Sequence, residues 1–131
     1  MNKTFLAIAA SALALTGTTA QAATTAEKGE ARLEKMLEGR VAGEPQSCIF
    51  TPSQNRLKII DETAMVYDGG KTIYVAKPRD PRSLDKNDIL VIERRGSQLC
   101  SQDIIKTVDR SSGFMTGVVF LDDFVPYTKP D

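Results

Sequence analysis

The segment Ala64-Met-Val-Tyr-Asp-Gly-Gly-Lys-Thr-Ile-Tyr-Val-Ala76 constrains this chain more than any other. Two β-rich runs flank Gly69-Gly70, and a type I′ hairpin turn needs positive φ at both central residues. That turn predicts the pairs Asp68–Lys71, Tyr67–Thr72, Val66–Ile73 and Met65–Tyr74. Side chains alternate along a strand, so Ala64, Val66, Ile73 and Val75 share one face, which is core material. Met65, Tyr67, Thr72 and Tyr74 share the other. Tyrosine combines apolar area with a polar tip and is enriched where surfaces recognise partners. This second face is therefore a candidate partner surface.

The same period of two recurs elsewhere. Strands are expected at Arg56 to Ile60, Ile89 to Arg94, Ile104 to Val108 and Phe114 to Leu121. Ile89 to Ile92 is apolar on both faces and reads as a central strand. Pro126 argues for an edge or a non-strand ending near the C-terminus. Ahead of these strands, residues 24–38 read as a helix, with Thr24 and Glu27 in the spacing of a capping box and Gly39 as a stop. Ala26, Leu33, Met36 and Leu37 form its apolar stripe, which needs a surface to cover. The hairpin's tyrosine face is one such surface, and then it would be unavailable to a partner. Gly39 to Gln46 reads as a linker. The fold class is mainly β, α+β by content: a small curled sheet or barrel with one N-terminal amphipathic helix.

The two ends of the chain differ in character. Lys3, the apolar run Phe5 to Leu15 and the Ala20-Gln21-Ala22 pattern make the three parts of a secretory signal peptide. Cleavage after Ala22 leaves residues 23–46 as helix and linker and 47–131 as one β-rich domain. Removing Lys3 from 17 basic residues leaves 16 against 17 acidic, a net charge of −1. So balanced a chain has no global field for nucleic acid. No later apolar run approaches the ~20 residues that span a bilayer as a helix. The expected location is the periplasm or the medium.

An exported chain meets an oxidising compartment, where an even number of cysteines points to pairing. Cys48 and Cys100 are the only two. A bridge between them is preferred over two buried free thiols. Zinc and iron–sulfur sites need clustered ligands, and a catalytic thiol needs an activating base.

The segments "GRVAGEPQSCI", "RGSQLCSQDI" and "VDRSSGF" followed by "FVPY" resemble a group of small exported proteobacterial proteins of unknown function. The resemblance spans most of the chain after residue 22. It implies export and a paired-cysteine framework, and it assigns no activity.

The chain has no histidine, which removes Ser-His-Asp and Cys-His catalysis and every His-ligated metal site. Neither a phosphate-binding nor a dinucleotide-binding glycine pattern is present. Asp61-Glu62, Asp103, Asp109 and Asp122-Asp123 are available for carboxylate chemistry, but neighbours in a strand point to opposite faces. Asp85-Lys-Asn87-Asp88 begins like a calcium loop and fails at Ile89. Lys77, Arg79, Arg82 and Lys86 make a basic loop interrupted by Asp80 and Asp85, read as a solvated loop with a secondary role in contacting a partner. The expectation is an exported, non-enzymatic binding module of the bacterial envelope without cofactor or metal. Its partner would be an envelope protein or a glycan. An inhibitor of an envelope hydrolase, or a histidine-free hydrolase using Asp or Glu, are the alternatives.

Overall fold

The computed structural model of this chain describes Gly17 and residues 21–131. The expected signal peptide, residues 1–22, lies almost wholly outside the described residues. The first element is helix α1, Thr25–Met36. Its capping box closes in both directions: Glu27 N donates to Thr24 Oγ1 at 3.2 Å, and Thr24 N donates to a Glu27 carboxylate oxygen at 2.7 Å. These bonds satisfy two of the donors that every helix start leaves open.

Ten strands follow: β1 Val41–Ala42, β2 Cys48–Phe50, β3 Leu57–Ile60, β4 Ala64–Asp68, β5 Thr72–Ala76, β6 Asp88–Glu93, β7 Gln98–Cys100, β8 Ile104–Asp109, β9 Met115–Val119 and β10 Val125–Thr128. All named pairings are antiparallel. They form a five-stranded sheet β1-β10-β5-β4-β3, a three-stranded sheet β6-β8-β9 and the pair β2-β7. The two larger sheets join where Pro78 bridges Leu121, with Arg79 N donating to Phe120 O and Asp122 N to Lys77 O, both at 2.8 Å. The sheets curl around a common core but do not close into a barrel, because β3 and β6 have no ladder between them.

The hairpin forms one residue later than its glycine pair predicts. Its pairs are Met65–Ala76, Val66–Val75, Tyr67–Tyr74 and Asp68–Ile73. Gly69 N donates to Thr72 O at 2.9 Å, so the turn residues are Gly70 and Lys71, and only Gly70 has positive φ, at +88°. One positive φ at the first position is the type II′ solution. Neighbours select it: Asp68 Oδ1 accepts from Gly70 N at 2.9 Å, and the Arg40 guanidinium donates to the Lys71 carbonyl at 2.7 Å and the Gly70 carbonyl at 3.1 Å. Each strand residue's partner thereby moves by two places, so the make-up of both faces is preserved.

Each face buries a different layer. Ala64, Val66, Ile73 and Val75, with Ile60, pack under Leu33 and Met36 of α1 and Leu37, which caps it. Met65, Tyr67 and Ala76 enter the main core with Ile49, Leu84, Leu99, Ile105, Val119, Leu121 and Phe124. The helix therefore covers the aliphatic face rather than the tyrosine face.

Three other expectations are corrected. Within the Gly39–Gln46 linker, Val41–Ala42 forms β1 against β10, and Gln46 bridges Phe124. Ile89 to Ile92 belongs to β6, an edge strand, and β8 is the central one. Its apolar character on both faces comes from Leu90 and Ile92 leaning on the core while Ile89 and Val91 stay exposed. Pro126 lies inside β10, between β1 and β5. The Pro126 carbonyl accepts from Gly43 N at 2.7 Å, so the side of Pro126 lacking an N–H faces the point where β1 has already ended.

Candidate functional site

The residues expected to recognise a partner are divided by the fold. Met65 and Tyr67 are buried, at 0% and 4% exposure, so they are not a free surface. Thr72 and Tyr74 are half-buried, and the Thr72 hydroxyl shares a 3.0 Å hydrogen bond with that of Thr128. Lys77, Arg79 and Arg82 are exposed, but each stands near a carboxylate: Glu30 at 2.9 Å, Asp122 at 3.9 Å and Asp80 at 3.2 Å respectively. Lys86 lies 3.8 Å from Asp61. A loop whose cations are locally neutralised offers little net attraction to an anion.

The carboxylates are likewise occupied in shaping turns. Asp109 Oδ1 accepts from Ser111 N at 2.9 Å and Ser112 N at 2.7 Å, and the Ser112 amide is the main reason its pKa is lowered. Asp80 is lowered chiefly by the Arg82 side chain, then by the Arg82 amide. Asp61 accepts from Lys86 N at 2.6 Å, and Asp103 from Cys100 N at 2.8 Å. Asp103, Asp122 and Asp123 do line one depression of about 470 Å³, yet Asp123 accepts the Ser101 hydroxyl at 2.8 Å and Asp122 lies near Arg79. Among the described residues no group of three or more acidic or cysteine side chains has the geometry to hold a metal ion.

Cys48 and Cys100 form a disulfide. They are direct cross-strand partners in the β2-β7 ladder, flanked by Ser101 N donating to Ser47 O and Thr51 N to Ser97 O, each at 2.7 Å. This alternation puts the cysteines at a non-hydrogen-bonded pair, where side chains of facing strands approach most closely.

A site outside the expected partner surface lies between the two sheets. The facing edges of β3 and β6 bound a groove of about 320 Å³. Leu57 and Ile59 form one wall, Ile89, Leu90 and Ile92 the other. Four of these five, Ile89 excepted, pack against the main core while staying partly exposed, so the groove opens onto core side chains. One end is tied by the Lys86 amide on Asp61 and by Glu62 N donating to Leu84 O at 3.0 Å. At the other end, the Arg94 guanidinium donates to the Thr51 carbonyl at 3.1 Å and to the Thr51 hydroxyl. The contacts of Asp61 and Glu62 set the end of β3 beside the start of β6, so the two strands run in opposite directions along the groove they both line.

Both strands are paired on one side only, so every second N–H and C=O of each points away from its sheet. Arg110 and Lys86 stand at one end of the groove and Gln54 lines it as well. Arg110 Nε donates to the Asn87 carbonyl at 3.4 Å. The site combines unpaired strand edges, an apolar floor and, at one end, Arg110 and Lys86 beside the carboxylates of Asp88 and Asp61.

No family model, characterised protein or solved structure matches this chain. The groove's chemistry must therefore be read from its own geometry. The one sequence signal that pointed toward it was the two-faced apolar run Ile89 to Ile92, because a strand apolar on both faces needs neighbours on both.

Proposed function

We propose that this protein is an exported, disulfide-braced binding module of the bacterial envelope, and that its groove takes an extended segment of an envelope polypeptide. The observation that supports the reading is the pair of unpaired sheet edges facing each other over Leu57, Ile59, Leu90 and Ile92. An added strand would supply the missing backbone partners and cover the partly exposed core side chains. β3 has four residues and β6 six, so at about 3.3 Å per residue the walls run for ~13 and ~20 Å. Because the walls run in opposite directions, a strand paired to both would be antiparallel to one and parallel to the other. Apolar side chains of the segment would point to the floor, and an acidic residue would meet Arg110. The turn duties of Asp61, Asp103 and Asp109 favour binding over carboxylate hydrolysis.

A photo-crosslinking side chain placed at Leu90, in protein expressed in its own envelope, tests this. The expected product joins one short stretch of a polypeptide. A synthetic peptide of that stretch should then slow amide exchange in β3 and β6 together. Crosslinks to lipid alone, or protection away from these two strands, would refute the reading.

A further inference from the structure

The outer face of the three-stranded sheet is apolar where solvent-facing sheets are ordinarily polar. Its ladders place nine side chains in three rows: Ile89, Val108 and Met115; Val91, Lys106 and Val118; Glu93, Ile104 and Phe120. The last row follows from Ile105 pairing with Val119, which sets Ile104 beside Phe120. Seven of the nine are apolar. Exposure reaches 50% at Ile104, 62% at Met115 and 61% at Phe120. The opposite face of the same sheet holds Ile105, Thr107 and Val119, all buried. The outer face is therefore a second apolar surface, not a leak from the core. Helix α1 lies on the other sheet and does not cover it.

We infer that this face is the contact between two copies of this chain. Two properties select a second copy over another occupant. The first is charge: Lys106 and Glu93 stand side by side within the face, in an ion pair of 2.5 Å. A contact between identical surfaces must be complementary to itself. A two-fold axis running in the plane of contact, midway between these residues, sets each lysine opposite the other copy's glutamate. The face has no excess of either sign, so it offers nothing to an anionic lipid surface or a strongly charged protein. The second property is size. Its exposed apolar side chains amount to an area on the order of 500 Å², at the upper end of the ~300–600 Å² found for the largest patch of a monomer. A standard interface takes about 800 Å² from each partner, so an apolar patch of this size suits the centre of one. Two such faces would stack as a β-sandwich about 10 Å apart. This inference uses a face that meets the β3–β6 groove only at Ile89, and neither reading depends on the other.

Sedimentation equilibrium of the purified protein, followed up to about 100 μM, is the first test, since a dimer is stabilised by concentration. The wild type should dimerise. Val91→Asp, at an exposed position, should raise the dissociation constant at least tenfold with an unchanged far-ultraviolet spectrum. Glu93→Lys and Lys106→Glu should each weaken the dimer, because they set like charges against each other. The double reversal should restore it to within about threefold of wild type, an exchange that non-specific apolar association would not reproduce. A wild type that stays monomeric overturns the inference, including one that joins a different protein through this face. So does a dimer insensitive to Val91→Asp, or one that the double reversal fails to rescue.

Discussion

Gly29 of α1 lies so close to Thr63, in the turn between β3 and β4, that no side chain fits between them. A Cβ on Gly29 would overlap Thr63 Oγ1 and stand 2.7 Å from the Asp61 carbonyl oxygen. The Thr63 hydroxyl is itself held there, donating to that carbonyl at 2.8 Å. The glycine that weakens α1 as an isolated helix is thus what lets it dock, with Leu33 buried on the sheet.

Gly29→Ala should accordingly reverse the usual propensity gain. In an exposed helix interior the change is favourable by about 1 kcal/mol. Here the overlap should make it destabilising by about 2 kcal/mol, the range expected for overpacking. Urea unfolding of the variant measures it. A gain in stability would mean that α1 does not rest on this turn.

Removing the disulfide should cost about 2–4 kcal/mol, because 52 residues separate Cys48 from Cys100 and the unfolded chain regains the freedom of that loop. The β2-β7 ladder is only three pairs long and should loosen first. Cys48→Ser with Cys100→Ser, compared with wild type in guanidinium, gives the free energy. Amide exchange at Leu99 locates the loosening.

Tyr67→Ala should act as a core deletion. Tyr67 is 4% exposed and its ring centroid lies 6.5 Å from that of Tyr74. The expected loss is about 3 kcal/mol, as for other large-to-small changes in a core. Calorimetric unfolding reads the loss. A variant as stable as wild type would mean that the ring is not packed between the sheets.

Acid should open the Asp109 turn locally. Its pKa is lowered in the folded state, chiefly by the Ser112 amide. The folded chain therefore binds its proton less readily than the unfolded one. The stabilisation is full above the ordinary carboxylate value of 3.8 and is lost as pH falls through the lower folded value. The Ser112 amide resonance should follow the Asp109 carboxyl titration, with a midpoint below 3.8. Asp109→Asn should remove that response.

Several elements were legible in the residues alone, and the reason is locality. Thr24 and Glu27 cap α1 over a span of three residues, and the alternation from Ala64 to Ala76 sorts side chains between two faces whatever lies beyond. The hairpin shows where locality stops. Gly69-Gly70 announced a turn, but Arg40, some thirty residues upstream, holds the two carbonyls of the form adopted. β6 is similar: Ile89 to Ile92 declared a strand with two apolar faces, and nothing within it revealed that one face would remain in solvent.

The sequence by itself determined the helix and its cap, six of the ten described strands (β3 to β6, β8 and β9) and the two faces of the hairpin, and it limited any disulfide within the chain to Cys48 with Cys100. Each follows from periodicity, capping chemistry or a choice of one. Tertiary structure decided the register of the hairpin, which of its faces α1 covers, the placing of Pro126 within a sheet and the groove between β3 and β6. Those outcomes depend on which strands become neighbours, and neighbours distant along the chain are chosen by the packing of whole layers. A residue's own surroundings in sequence contain no record of that choice.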